Sequence, residues 1–384
     1  RRSAAPWGSS GSVTRGEARV RLRRAAKRRA CRPVVPAPVS EEEMTNPLVS
    51  VVVVCLNGVD ITRRCLAGLA AQEYAPREII VVDNGSAEDV EGMVTGTYPD
   101  FRFIRLDRNL GFAGGYNRGI AAARGRYIAI INNDAVAAPQ WLGRLVAAAE
   151  ADARIGAVAS IIADGNGTDV LDSCGVGIAL DGMSRQLLRG RAIPVLEAPR
   201  EVLAPSGCAC LFRAAALEVV GLFDESFFCY CEDTDLGLRL RWAGFTTVVA
   251  PDARVTHYYS LTTGKYSLQK VCWVERNHFL VAVKNFPPLL LLTLPVVTLW
   301  RYCVQAVALV ARSGDLIQFP RQSTVLRLAA AIGKAHLSAF RLLPAAVRKR
   351  NRFLSKRKVS DRQMLKIILA HKISMVEAII GSRE

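Results

Sequence analysis

Histidine is scarce in this chain, with four in 384 residues, and cysteine stands at only ten. Ten thiols in a chain that is 51% apolar do not make a disulfide scaffold, so a reducing compartment is expected. None has the C-x-x-C spacing usual in zinc sites, and the two C-x-C pairs, Cys208/Cys210 and Cys229/Cys231, read as buried thiols sharing a strand face. The opening segment has no hydrophobic period and no apolar stretch that could serve as a signal peptide. Because Met44 stands directly before the first strand, residues 1–43 are expected to be a disordered extension upstream of the mature start.

Acidic residues are few at both ends. Residues 1–46 carry 11 Lys/Arg against 4 Asp/Glu and residues 321–384 carry 15 against 3, which leaves the middle of this +17 chain close to neutral. A basic balance confined to the ends points to an anionic surface met there and to a different task for the core. That distribution, and the absence of any nucleic-acid motif, argues against a specific nucleic-acid binder despite pI 9.8.

The core alternates strands and helices. Val49–Leu56 is a β-branched run suited to a strand covered on both faces, Asp60–Gln72 reads as a helix, and Ile79–Val82 is a second strand ending in Asp83-Asn84-Gly85-Ser86. Polar residues at the carboxyl end of a buried parallel strand mark where ligands sit in α/β sheets. Asp83 is either a turn residue or a contact to a base or ribose. A third strand, Phe101–Leu106, leads into Asn109–Gly119, whose glycines are expected to let a ligand approach backbone amides at a helix start. The fourth, Tyr127–Ile131, runs into Asn132-Asn133-Asp134, where a lone carboxylate suits a divalent ion shared with diphosphate oxygens.

Residues 164–200 read as hairpins or a long loop over the site. The stretch that organises the rest is Phe223–Arg239, in which Glu232, Asp233 and Asp235 follow a run of aromatic and cysteine residues and open a helix. One acid there is an ordinary cap; three, behind apolar residues, raise one another's pKa unless a cation or a reacting proton is present. Asp235 and Arg239, four apart, are read as an ion pair. Lone His257, taken alone, reads as a packed residue.

In order, VVVVCLN, VVDNGS, NLGFAGGYNRGI, INND, FDESFFCYCEDTDLGLR and VTHYYS resemble the family 2 inverting nucleotide-sugar glycosyltransferases, rhamnosyltransferase-like branch, over Val49–Ser260. The resemblance implies an α/β fold of GT-A type, a nucleotide-binding mixed sheet flanked by helices. It also implies a nucleoside-diphosphate sugar as donor, contacted by Asn57, Asp83, Asn84, Asn109, Gly111, Gly114, Asn117, Asn132 and Asn133. Asp134 then belongs to a degenerate D-x-D motif that has Asn132 at its first position, and His257 becomes a second ligand to Mg²⁺ or Mn²⁺. Asp233 corresponds to the general base, beside Glu232. The branch points to rhamnose, with UDP-hexose and galactofuranose donors as alternatives. A nucleotide-sugar-binding scaffold without catalysis is the competing reading, and a sugar nucleotidyltransferase is disfavoured because CLNGVD lacks a glycine-rich Arg/Lys loop.

Beyond the resemblance, Leu289–Ala311 is apolar over a span long enough to cross a bilayer but contains Arg301. Thr298, Arg301, Gln305 and Arg312 fall in one sector, the pattern of an amphipathic helix lying in the membrane interface with that sector toward water. Arg327, Lys334, Arg341 and Arg348 recur beside Leu326, Ile332, Leu337 and Phe340 in a second basic segment, broken near Pro344. The expected layout is a basic extension over 1–46, a catalytic domain over 47–285 and membrane-associating helices over 286–384. It places the protein on the cytoplasmic face of the cell membrane, where a glycan or polyprenyl-linked glycan acceptor is the natural partner.

Overall fold

The structure is a computed structural model that describes residues 46–165, 170–258, 267–310 and 325–380; the basic extension and Arg312 lie outside them. The chain begins as alternating strands and helices: β1 (Val49–Cys55), α1 (Val59–Ala70), β2 (Arg77–Asp83), α2 (Val90–Thr97), β3 (Arg102–Arg105), α3 (Gly111–Ala122) and β4 (Tyr127–Asn132). It continues through β5 (Ala135–Ala137), α4 (Trp141–Glu150), β6 (Ile155–Asp164), and short strands β7 (Leu171–Ser173), β8 (Val176–Ile178), β9 (Ser184–Gln186) and β10 (Arg200–Val202). Then come β11 (Ala209–Arg213), α5 (Ala214–Val220), α6 (Glu232–Trp242) and the long β12 (Thr246–His257). Among the described residues there follow α7 (Leu268–Asn285), α8 (Pro288–Val310), α9 (Val325–Leu354), α10 (Asp361–Ala370) and α11 (Met375–Ile380).

The main path of the large sheet is β10-β12-β6-β11-β4-β1-β2-β3. Strands β3, β2, β1 and β4 are parallel, β11 runs antiparallel to both β4 and β6, and β12 is parallel to β6. This is the mixed sheet flanked by helices that the sequence leads one to expect. Period-2 alternation sends Val51 and Val53 to a layer covered by α1, α2 and α4, with Trp141 and Leu66 in it. Val52 faces the opposite layer, formed with α3, α5 and α6 and containing Tyr116, Phe212 and Leu236. Both layers are dry, which is why β1 can be valine at five of its seven positions.

Register decides where the chemistry sits. Val54 is opposite both Val82 and Asn132, and Cys55 is opposite Asp83, so β1, β2 and β4 end level with one another. Their polar tails therefore open at a single edge.

Three local expectations need correction. Cys208 and Cys210 do not share a face: Cys210 packs with Phe212, whereas Cys208 lies just before β11 and belongs to the other layer. The second basic segment is not broken at Pro344, because α9 runs through it unbroken. Only the hydrogen bond to the Phe340 carbonyl is forfeited there. Finally, the polar sector of α8 faces the protein rather than water. Arg301 is fully buried, pairing with Asp181 Oδ2 at 2.6 Å and with Glu275 at 2.8 Å. Its partners lie far away in sequence, so helical periodicity alone could not reveal which way the sector turns.

Candidate active site

At the carboxyl edge of β1 and β4 lies a cavity of about 560 Å³. Its floor is Val54–Leu56 and Asn132–Asp134, and its walls come from the start of α3, the loop before α6, α7 and the end of β12.

Of the run Asn132-Asn133-Asp134 that closes β4, only Asp134 brings a carboxylate to the floor. Its Oδ1 is buried, accepts no hydrogen bond among the described residues, and lies 3.2 Å from His257 Nε2. On its other side the His257 ring meets Asp172 Oδ2 through Nδ1 at 2.9 Å. Asp172 in turn is 3.2 Å from Arg189 Nε. Burial works against a charged imidazole, but Cys208, Asp134 and Asp172 outweigh it and shift the pKa of His257 above its usual value. Two carboxylates thus clamp one ring, fixing the direction of Nε2.

Also lining the cavity, Asp233 stands at the second position of α6. One carboxylate oxygen accepts the Gly207 N–H at 3.0 Å, and the other accepts the Thr234 N–H at 2.6 Å and its hydroxyl at 3.1 Å. Burial raises its pKa, opposed by these bonds. Neighbouring Glu232 is pushed much further up, first by burial and then by the charge of Asp233. Glu232 therefore holds its proton more tightly than Asp233, which leaves Asp233 the more readily ionised of the two.

The loop that delivers these acids is backbone-strained. Phe228, Tyr230 and Cys231 have φ of 63°, 73° and 68°, in the left-handed region that non-glycine residues seldom occupy. One buried side chain holds it there: Asn277 Nδ2, on α7, donates to the carbonyls of Phe227, Cys229 and Tyr230 at 3.0, 2.9 and 2.8 Å. The start of α3 presses on the same loop. A Cβ at Gly111, whose φ is +74°, would come within 2.4 Å of the Phe228 carbonyl oxygen. Gly119 lies against the sheet, where a Cβ would meet Val52 Cγ1 at 2.2 Å. Close packing against chain, more than approach of a ligand, accounts for these two glycines.

Of the residues picked out by sequence, the cavity brings together Asn84, Asn109, Gly111, Asn132, Asn133, Asp134, Glu232, Asp233 and His257. Asn57, Asp83, Gly114 and Asn117 lie behind it. Asn57 Oδ1 accepts the Ala87 N–H at 2.8 Å, and Asp83, fully buried, accepts the Ser86 N–H at 2.8 Å and faces Arg105 at 3.2 Å. Gly114 packs on Leu110, and Asn117 clasps the Phe223 backbone through both its amide atoms. Asp172, Gly207 and Asn277 escape the sequence reading, because no motif announces them. Asp235 pairs with Arg239 at 2.9 Å as expected, and also with Lys284 at 2.7 Å.

Residues 50–221 match the family model described as glycosyl transferase family 2. The chain is 29% identical over 226 residues to the N-acetylglucosaminyl-diphospho-decaprenol L-rhamnosyltransferase of Mycobacterium tuberculosis, covering 53% of this chain and 73% of that one. It is 40% identical over 106 residues to the succinoglycan biosynthesis protein ExoO of Rhizobium meliloti, covering 27% and 30% of the two chains. Among solved structures, mannosyltransferase PcManGT from Pyrobaculum calidifontis in complex with GDP-Man and Mn2+ aligns with 84% of this chain and 91% of its own, at 18% identity and TM-score 0.47. The matched segment runs from β1 through α5 and carries the strand ends that form the cavity floor. Residues 50–221 of the chain thus form a glycosyltransferase segment of family 2, and the chain is similar to a rhamnosyltransferase over 226 residues.

Proposed function

We propose that this chain transfers a sugar, with inversion, from a nucleoside-diphosphate donor to a hydroxyl of a polyprenyl-linked glycan during cell-surface polysaccharide synthesis. The observation that carries the proposal is the placing of Asp134 with His257 and of Asp233 in one cavity at the strand ends. The names of the mycobacterial and rhizobial relatives support the acceptor class and the setting. They also favour rhamnose over a UDP-hexose or galactofuranose donor. The reaction belongs at the cytoplasmic face of the membrane, where such donors and acceptors meet.

In the reaction the anomeric carbon's bond to the diphosphate breaks as the acceptor oxygen attacks from the opposite face. The proton of that oxygen passes to Asp233, a base whose pKa burial raises. Glu232 stands beside it, its neutral form favoured by burial and by the charge of Asp233.

The residues fit a divalent ion. Asp134 offers a buried oxygen that accepts no hydrogen bond among the described residues, next to an imidazole nitrogen whose direction is fixed. Among the described residues no cluster of three or more His, Cys, Asp and Glu is spaced as a self-contained metal site. Asp134 and, once its Nε2 proton has been given up, His257 would suit Mg²⁺ or Mn²⁺ completed by diphosphate oxygens. When bound, such an ion supplies Lewis-acid stabilisation of the departing diphosphate.

A thermal-shift panel of nucleotide sugars, with and without Mn²⁺, tests this reading. The correct donor at a hundredfold excess over its Kd is expected to stabilise the chain by about 2.7 kcal/mol. The gain should require the metal and vanish in Asp134→Ala. No response to any donor or nucleotide would overturn the assignment, and measurable turnover would exclude a scaffold that binds without catalysis. Asp172→Ala should weaken Mn²⁺ binding in the presence of nucleoside diphosphate by about 10- to 100-fold in a calorimetric titration, because the ring of His257 loses its second clamp.

A further inference from the structure

We propose that the chain seats on one leaflet of an anionic bilayer through the outward faces of α8 and α9, with neither helix crossing it. The proposal rests on the reading of a membrane-borne acceptor only for its purpose; the docking surface is argued from the helices themselves.

By length and composition α8 could span a membrane. Its rotation and position are nonetheless fixed from inside. Arg301, near the middle, is 0% exposed and held by Asp181 from the turn after β8 and by Glu275 from α7. A crossing would carry that charged cluster into hydrocarbon or tear it apart. With Arg301 turned inward, the opposite face presents Leu292 (78% exposed), Val296 (71%), Leu299 (65%) and Trp300 (60%). This is the reverse of a water-facing helix, whose apolar stripe turns to the core.

Helix α9 repeats the inversion. Its small residues Ala331, Ala335 and Ala339 are buried, while the large Leu326, Leu337 and Phe340 are exposed. The two helices meet where Tyr302 Oη lies 3.2 Å from His336 Nε2. Exposed Arg327, Lys334 and Arg341 stand among the outward apolar side chains of α9, and neither helix contains an Asp or Glu. Apolar side chains interleaved with cations, and a tryptophan beside them, match acyl chains under anionic headgroups. A second copy of this chain would set like charges against each other.

The seat adjoins the cavity. Helix α11 packs against α8, and its residue Ala378 both lines the cavity and accepts a hydrogen bond from Arg185 at 3.0 Å. An acceptor anchored in the same leaflet is thereby kept near the rim.

The test is co-sedimentation of the full chain with vesicles of phosphatidylglycerol and phosphatidylcholine, beside vesicles of phosphatidylcholine alone. Expected is binding that strengthens with phosphatidylglycerol, is released by alkaline carbonate, and quenches Trp300 fluorescence with brominated lipid, a quench lost in Trp300→Phe. The variant Leu292→Glu/Leu299→Glu should lose binding to both vesicles while keeping its fold and its thermal response to the donor. Lys334→Glu/Arg341→Glu should lose mainly the phosphatidylglycerol dependence, by roughly fivefold or more per cation. Carbonate-resistant insertion would overturn the proposal, as would equal binding by these variants, absence of vesicle binding, or a wild-type dimer that Leu292→Glu/Leu299→Glu converts to monomer. Retained donor response in a variant that has lost vesicle binding separates this result from a failure of the proposed function.

Discussion

Asp233→Asn is expected to lower kcat by about 10² to 10⁴ while leaving the donor's thermal shift intact. The acceptor hydroxyl must lose its proton as the new bond forms, and the other aspartates lining the cavity, Asp134 and Asp172, are both engaged with His257. Glu232 is buried, and desolvation first and then the charge of Asp233 push its pKa up. His257 is clamped between two carboxylates. The substitution keeps the side-chain volume, and the amide oxygen can still accept from Thr234. What it removes is basicity. The pH profile supplies an independent check with a definite sign. A base must be unprotonated to act, so kcat/KM falls as pH drops through the pKa of Asp233. Burial has raised that pKa, which places the acid limb above the range of an ordinary aspartate. A limb at the ordinary aspartate position, or an Asp233→Asn variant with near-normal turnover, would remove Asp233 from the role.

The second large effect lies away from the cavity. Arg301→Leu should cost about 3 to 5 kcal/mol of stability, because it strands Asp181 and Glu275 as buried carboxylates without their cation. At roughly 2 to 4 °C per kcal/mol for a larger domain, the melting temperature falls by about ten degrees. Replacing the cluster together, Arg301→Leu with Asp181→Asn and Glu275→Gln, should recover much of the loss, since the penalty lies in the unpaired charges more than in the missing pair. Acidification gives the sign. Burial pushes the Glu275 carboxyl up, but His278 and Arg301 outweigh it and hold its pKa below the usual value. Its contribution is therefore present above the unfolded pKa and fades as pH falls through the lowered one. The gap between wild type and Arg301→Leu should narrow on that descent, as measured by denaturant melts. A gap that is small at neutral pH would show that α8 is not anchored by this cluster.

The alternation of strands and helices was readable because burial on both faces leaves a mark at every position, as in the valines of β1. The floor of the cavity was readable too, since Asp134 follows directly from the strand that carries it. Asp172 was not. It sits in a three-residue strand, 85 residues before the histidine it clamps, and nothing local distinguishes it from a loop acid. Asn277 looks like any polar residue of a helix until the carbonyls it meets are known. The case of α8 is different in kind. Periodicity located its polar sector, yet which side of that sector is solvent depends on the distant carboxylates Asp181 and Glu275. Sequence period gives the faces of a helix and leaves their orientation to tertiary partners.

The clasp of Asn277 on the loop before α6 has a consequence for how such a chain can change over time. The family-matched segment ends at residue 221, before both acids and before the helix that bends their loop. A recombination joining that segment to a different carboxyl-terminal portion would inherit the sheet edge and lose the left-handed geometry at Phe228, Tyr230 and Cys231. The parts of the chain are thus less interchangeable than a family boundary suggests. Changes to the surfaces of α7–α11 disturb the fold less than an exchange of those helices would, because one buried amide inside them sets the posture of the loop that leads into Glu232 and Asp233.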